Sequence, residues 1–389
     1  MTLGIYVHIP FCLQKCSYCD FLSFTNINDY QIQTDYTHAL LNEIEYWGQE
    51  ISGEGLHPSY RVDTLFMGGG TPTVLDIRLM DRIMSSLHRW FSIEKNAEIT
   101  LEANPGTVTN HILRDYKNMG INRLSIGVQS LKGSVLSTLG RIHDGREALE
   151  SVEKARKAGF NNVNVDLMFG IPGQGMDDWQ NTLKGVLDRD PDHVSFYGLQ
   201  VEAGTTLYRK IQSGKLVLPP WEEDRAMYQE GIKTIEDRGY VHYEISNGAK
   251  PGKESRHNLK YWSMDEYLGL GLGAHSFLNY KNGGFVRFSN DCNMEGYIKS
   301  ANPYHMPEPY YNTEKDNISE YIFTGLRKME GIRIKSFEER FNKPFFQLYA
   351  DQIRKFTDLG LLKYDEKSER LALTLDGIDV SNQVLAAFV

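Results

Sequence analysis

Ile5-Tyr-Val-His-Ile-Pro-Phe-Cys12-Leu-Gln-Lys-Cys16-Ser-Tyr-Cys19-Asp-Phe21 sets three cysteines within eight residues, directly after an apolar run of strand character. Three thiolates on one short loop leaving a strand suit three corners of a 4Fe–4S cube, whose fourth iron then lacks a protein ligand and is open to chemistry. Two other readings fit a cluster of cysteines: a zinc knuckle with His8 as fourth ligand, and a disulfide. Structural zinc usually takes a second ligand pair further along the chain, and none follows here. The remaining cysteine, Cys292, is distant in sequence. A large acidic chain with few cysteines and no signal-peptide pattern reads as cytoplasmic, where thiols stay reduced.

Working outward, the 389 residues suggest one large domain and a smaller one, and 41% hydrophobic with 24% charged residues is ordinary for a soluble globular protein. The net charge of −9 without a Lys/Arg run weighs against a grip on nucleic acid. No apolar stretch reaches the roughly 18 to 20 residues that span a bilayer, so any membrane contact is expected to be peripheral. Repeats and low-complexity tracts are absent from the sequence.

Short β-branched and aromatic runs over 3–9, 64–67, 98–102, 123–128, 164–169 and 193–199 alternate with amphipathic stretches over 36–50, 77–91, 110–119, 145–158 and 176–188. Buried strand, helix, buried strand is the rhythm of a parallel sheet with helical crossovers. Six units predict an α/β fold, a partial (β/α)6 barrel. Such barrels build their sites at the C-terminal ends of the strands, and the cysteine loop follows the first of them.

Polar and glycine residues gather at those ends. Met67-Gly-Gly-Gly-Thr-Pro-Thr73 allows close approach of backbone to a ligand, with N–H groups open to a carboxylate or phosphate; a tight strand-to-helix turn ahead of Pro72 would equally need glycine. Glu102 offers a carboxylate, or is a solvated strand-end residue. Gln129 ends the fourth strand, and Arg141 lies just beyond. Asp166, inside an apolar strand, is costly to bury unpaired, so a ligand hydroxyl, a cation or a structural salt bridge is expected beside it.

The motifs His8-Ile-Pro-Phe-Cys12-x3-Cys16-x2-Cys19-Asp-Phe21, Gly68-Gly-Gly-Thr-Pro-Thr73, Glu102-Ala-Asn-Pro105, Gly127-Val-Gln-Ser130, Asp166-Leu-Met-Phe-Gly-Ile-Pro-Gly173 and Tyr243-Glu-Ile-Ser-Asn247 occur in order over nearly the whole chain. Together they resemble the radical S-adenosylmethionine (SAM) proteins related to oxygen-independent coproporphyrinogen-III oxidase, and within them the haem-chaperone branch. Cys19-Asp20-Phe21 and Arg256-His-Asn-Leu-Lys-Tyr-Trp262 match that branch. The oxidases carry a further cysteine where Phe21 stands, and an N-terminal extension where this chain starts seven residues before its first motif. Both departures weigh against decarboxylation of coproporphyrinogen.

The resemblance implies cluster ligands Cys12, Cys16 and Cys19. It implies SAM contacts from Tyr6, Tyr18, Gly69, Gly70, Thr71, Glu102, Gln129, Arg141 and Asp166, with a 5′-deoxyadenosyl radical released when one electron enters the sulfonium. The protein itself supplies position and exclusion of water. The segment 255–262 admits two readings. His257, Asn258, Tyr261 and Trp262 offer an imidazole and flat faces to haem, or His257 is a solvated loop residue while the aromatics pack on the core. His275, in a glycine run that also suits a close-packed turn, is a second candidate ligand.

Domains are expected over 1–240 (the barrel), 241–303 (an extension with the haem candidates) and 304–389. In the last, two amphipathic helices, a hairpin over 360–374 and a closing helix resemble a winged helix. With 12 Lys/Arg against 14 Asp/Glu it carries no positive footprint for nucleic acid, and a lid or partner-docking role is expected, or simple packing on the barrel. The function implied is a haem chaperone, monomer or homodimer, that hands haem to an acceptor haemoprotein, a respiratory one near the membrane. The alternative is a radical SAM oxidase acting on a porphyrinogen.

Overall fold

A computed structural model describes residues 1–25, 29–52, 60–280, 284–299 and 309–389. Six parallel strands form its centre: β1 (Thr2–Ile9), β2 (Arg61–Gly69), β3 (Ile93–Ala103), β4 (Arg123–Gln129), β5 (Val163–Phe169) and β6 (His193–Gly198), hydrogen-bonded in that order. Each lies within a few residues of its expected run. The crossover helices include Tyr30–Ser52, Ile77–Trp90, Asn110–Asn118, Gly145–Lys157 and Met176–Leu187. Their starts follow local chemistry: Asp76 and Thr109 accept the backbone N–H groups of Arg78 and Ile112, and Asp144 forms a capping box with Glu147.

The sheet runs on past these six strands. β7 (Val241–Glu244) and β8 (Asn247–Ala249) form a hairpin antiparallel to β6, while β9 (Tyr267–Leu270) adds parallel to the free edge of β1. β10 (His275–Tyr280), β11 (Gly284–Ser289) and β12 (Tyr310–Tyr311) follow antiparallel, giving twelve strands in one sheet among the described residues. Gly269 lies inside β9 because the backbone of His275 passes where a Cβ would stand. The expected close-packed turn in that glycine run is therefore a strand followed by a turn.

One apolar core lies between this sheet and its helices, from Leu3 to Tyr297, and a second joins Ile318 to Phe388. The second belongs to the smaller C-terminal unit, with helices Glu314–Gly325, Ile334–Phe341 and Phe345–Asp358 around the antiparallel strands β13 (Ile332–Arg333), β14 (Leu362–Asp365) and β15 (Arg370–Leu373). The boundary expected at 303/304 lies outside the described residues. Among them, no helix is long and apolar enough to cross a membrane.

The helix Arg256–Ser263 sits at the N-terminal end of the barrel. A Cβ on Gly4 would meet Thr64, His257 and Lys260, so this helix occupies the floor beneath β1 and β2. Glu98, near-buried in β3, accepts the backbone N–H groups of Arg256 (3.2 Å) and His257 (3.1 Å) and so satisfies the positive helix start. Lys260, 4% exposed, reaches Asp63 at 2.8 Å.

Candidate functional site

The cysteine loop leaves β1 at the opposite, C-terminal rim and is stitched to the barrel by its backbone. Cys12 N–H donates to Phe24 O (2.8 Å), Phe24 N–H to Pro10 O (2.7 Å) and Ser17 N–H to Leu139 O (2.8 Å). All three thiols are free and line one cavity of about 460 Å³. Cys12 Sγ lies 3.6 Å from Thr71 Oγ1, and Arg141 Nη1 donates to Cys16 Sγ at 3.4 Å. Burial raises the Cys12 thiol above its ordinary range and pushes Cys19 up to about 11. His8, the fourth ligand a zinc knuckle would need, is engaged elsewhere: Nδ1 bonds Tyr6 OH (3.0 Å) and Nε2 bonds Leu22 O (2.8 Å).

Of the expected SAM residues, Tyr18, Gly69, Gly70, Thr71, Glu102, Gln129, Arg141 and Asp166 line the same cavity as Cys12, Cys16 and Cys19. Tyr6 does not. It lies deeper, against Phe66 (ring centroids 6.2 Å apart). The glycine run also departs from expectation, since its amides are not free. Gly69 N–H donates to Glu102 Oε2 (3.1 Å), Gly70 N–H to Ile9 O (2.9 Å) and Thr71 N–H to Phe11 O (2.8 Å). The glycines are needed because chain meets chain: a Cβ on Gly69, at φ +113°, would fall 2.5 Å from the His8 ring, and one on Gly70 2.7 Å from Phe11 O. Pro72 begins a 3-10 turn, Pro72–Val74, and the α-helix starts only at Ile77.

The two carboxylates face the same cavity from β3 (Glu102) and β5 (Asp166), with β4 between them. Among the described residues Asp166 forms no salt bridge. It accepts from Ser125 Oγ (3.1 Å) and Asn164 Nδ2 (2.7 Å), and burial raises its pKa against those donors. Glu102 is pushed up to about 8, first by burial and then by Asp166, against the pull of the Gly69 N–H and the Arg123 guanidinium. Two acids facing one cavity with too few positive partners suit a ligand that brings a cationic amine and hydroxyl donors.

Sequence reasoning missed Asn104, Ser125 and Tyr197. Asn104 links the rim, donating to Thr71 Oγ1 (2.8 Å) and accepting from Arg141 Nη2 (2.5 Å), while Arg141 also donates to Gly127 O. Tyr197 OH donates to Gln129 Oε1 (3.2 Å), and Gln129 holds φ +64°, a left-handed conformation unusual outside glycine. Asn104 stood within a quoted motif; nothing local in the sequence marked Tyr197.

The haem candidates are not brought to this cavity. The segment read as a loop is the floor helix, and His257 is 1% exposed rather than solvated. Its Nδ1 bonds Thr64 Oγ1 (2.9 Å), its Nε2 bonds Tyr261 OH (2.9 Å), and Phe66 stacks on its ring. Burial pulls this imidazole down to about 3, so it is neutral. Asn258 donates its backbone N–H to the N-cap Ser255, Trp262 packs under Arg327 (4.5 Å), and His275 is exposed at the start of β10. From Glu98, beside the floor helix, to Glu102, beside the cavity, the strand rises about 13 Å, at about 3.3 Å per residue.

Residues 6–186 match the model of the radical SAM superfamily, and residues 312–380 that of the HemN C-terminal domain. The heme chaperone HemW of Bacillus subtilis is 35% identical over 99% of this chain and 98% of its own length, and that of Escherichia coli 35% identical over 76% of each. Among solved structures, the coproporphyrinogen III oxidase of Escherichia coli, described as a radical SAM enzyme, superposes with a TM-score of 0.84 at 24% identity, covering 99% of this chain and 89% of that one. A cysteine loop on the first strand of a parallel half-barrel, a C-terminal unit of the expected type and full-length relatives together place the chain in the HemW haem-chaperone branch of the radical SAM proteins related to coproporphyrinogen-III oxidase.

Proposed function

We propose that this chain is a haem chaperone that binds a 4Fe–4S cluster, SAM and haem, and passes haem to an acceptor haemoprotein, without coproporphyrinogen oxidase activity. The observation that carries the reading is the shared cavity wall of Cys12, Cys16 and Cys19 with Glu102, Asp166 and Arg141. The donor set fits the cluster: three thiols, no fourth cysteine in the wall, and a guanidinium beside Cys16 to offset thiolate charge. When bound, the cluster supplies one-electron reduction of the SAM sulfonium. The chain's own part is to hold the SAM amino group and ribose hydroxyls with Glu102 and Asp166, to fix Thr71 and Arg141 through Asn104, and to keep water out.

Phe21, 65% exposed at the mouth, stands where the oxidases place a further cysteine, and this supports the chaperone over the oxidase. His257 would enter haem ligation only by leaving both its partners. Exposed His275 is the histidine to test first, and the C-terminal unit serves as lid or docking surface for the acceptor, a respiratory haemoprotein at the membrane.

Anaerobic reconstitution tests the reading. Iron and sulfide analysis should return one 4Fe–4S cluster, altered spectroscopically by SAM and lost in Cys16→Ala. Stoichiometric zinc without an iron signal would overturn the cluster. Haem should bind, with the Soret band changed in His275→Ala. Coproporphyrinogen III should persist; conversion to protoporphyrinogen IX with carbon dioxide and 5′-deoxyadenosine would make the protein an oxidase.

A further inference from the structure

A second cavity, of about 360 Å³, opens where the floor helix ends against the C-terminal unit. Trp262 and Ser263 form one wall; Lys328, Arg333 and Arg370 stand on the other, with Arg340 beside them. In a chain of net charge −9, this cleft gathers four cations around one lining carboxylate, Glu330, which pairs with Arg370 at 3.2 Å.

The cations are poorly compensated. Arg340 spends donors on backbone oxygens, Ser263 O (3.5 Å) and Met264 O (3.2 Å), and its counter-charges, Asp265 and Glu266, lie outside the lining. Lys328 Nζ donates to the hydroxyl of Ser263 at 3.3 Å and has no carboxylate within ion-pair distance among the described residues. Burial lowers the pKa of its ammonium and Arg370 adds repulsion, opposed by Glu330 and by Asp265 outside the lining. The indole Nε1 of Trp262 is buried and without a partner among the described residues. Partly desolvated like charges repel more strongly than they would in water, and a bound anion relieves that repulsion while giving guanidinium and ammonium groups charge-assisted hydrogen bonds.

We propose that this cleft binds an oxyanion of the carboxylate or phosphate class, held by Lys328 and Arg370 across from Trp262. Such an anion bridges the barrel floor and the C-terminal unit, so its binding stabilises the junction between them. The assignment is independent of the cluster and SAM readings.

Calorimetry and thermal melts on the full chain test it, with inorganic pyrophosphate and succinate as probes and sodium chloride at matched ionic strength as the screening control. At least one probe should bind and raise the melting temperature beyond the chloride control; the tighter of the two names the class. Lys328→Ala with Arg370→Ala should weaken it by about tenfold or more, as loss of charge-assisted bonds implies. Glu330→Gln, which removes only the competing carboxylate, should tighten it, and remains informative if the double variant does not fold. No binding of either probe at tens of millimolar, or binding unaltered by Glu330→Gln and by the cation variants, overturns the proposal.

Discussion

The two faces of the six parallel strands obey opposite rules. Outward, toward the helices, stand Ile5, Val7, Leu65, Leu101, Leu124 and Phe196, none more than 1% exposed. Inward stand Thr64, Glu98, Glu102, Arg123, Asn164, Asp166 and His193. Closed (β/α)8 barrels fill their interior with bulky branched side chains. Here strand alternation puts most of the apolar set outward, with Phe66 and Met168 among the inward exceptions, so the helix-covered face supplies most of the stability and the inner face is left largely for polar chemistry. His193 shows how that interior is satisfied, with Nδ1 on Asn164 Oδ1 (2.6 Å) and Nε2 on Tyr243 OH (2.8 Å).

The contrast breaks if the outer face can be cut without loss. Leu101→Ala should cost about 2–5 kcal/mol in denaturant unfolding, as buried Leu→Ala changes do, with SAM affinity of the folded fraction unchanged. A smaller effect, on the other face, is expected from Glu102→Ala and Asp166→Ala: about 1.5–3 kcal/mol of SAM binding, tenfold or more in affinity, with cluster content retained. Anaerobic calorimetry reads the affinity, and unchanged binding in both variants would move SAM off these residues. His257→Ala should lower stability by about 1–3 kcal/mol by leaving Thr64 and Tyr261 unpaired, with the haem spectrum unchanged. A shifted Soret band there would mean that the floor helix opens.

The gentlest effect is a pH slope. A Glu102 carboxyl held up at about 8, against an ordinary 4.5, keeps a proton that the unfolded chain has released. Folding stability without ligand should therefore fall as pH rises from about 4.5 to about 8, and Glu102→Gln should flatten part of that fall in unfolding measurements across the range. SAM binding, which uses the ionised carboxylate, should tighten over the same interval in the wild type and lose that slope in the variant.

The six strands and the cluster loop were legible because each is a local pattern: apolar runs of strand length, and three cysteines at fixed spacing. The extension β7–β12 was not, since its strands are short and one runs through a glycine, Gly269, that the passage of His275 explains. The floor helix was read as a loop because Arg-His-Asn-Leu-Lys-Tyr-Trp is a weak helix former; its start is held by the local N-cap Ser255, which the sequence displays, and by Glu98, about 160 residues earlier, a tertiary cap that it does not. The glycine amides were expected to greet a ligand and instead tie strand to loop. Asn104 and Tyr197 act by bridging rim residues, a role visible only once the strands are aligned.

That tie has a consequence for assembly. With Gly70 and Thr71 bonded to Ile9 and Phe11, Cys12 to Phe24 and Ser17 to Leu139 and Leu207, the cysteine loop has spent its conformational freedom on the barrel. In zinc fingers the metal orders the chain, and binding energy is drained into folding. Here none of the bonds that hold the loop uses a cluster atom, so the barrel rather than iron is expected to meet most of the ordering entropy, and loading to resemble filling a mould. Oxidative loss of the cluster should then leave a folded, refillable protein, with amide exchange in the loop as slow after iron is stripped as before.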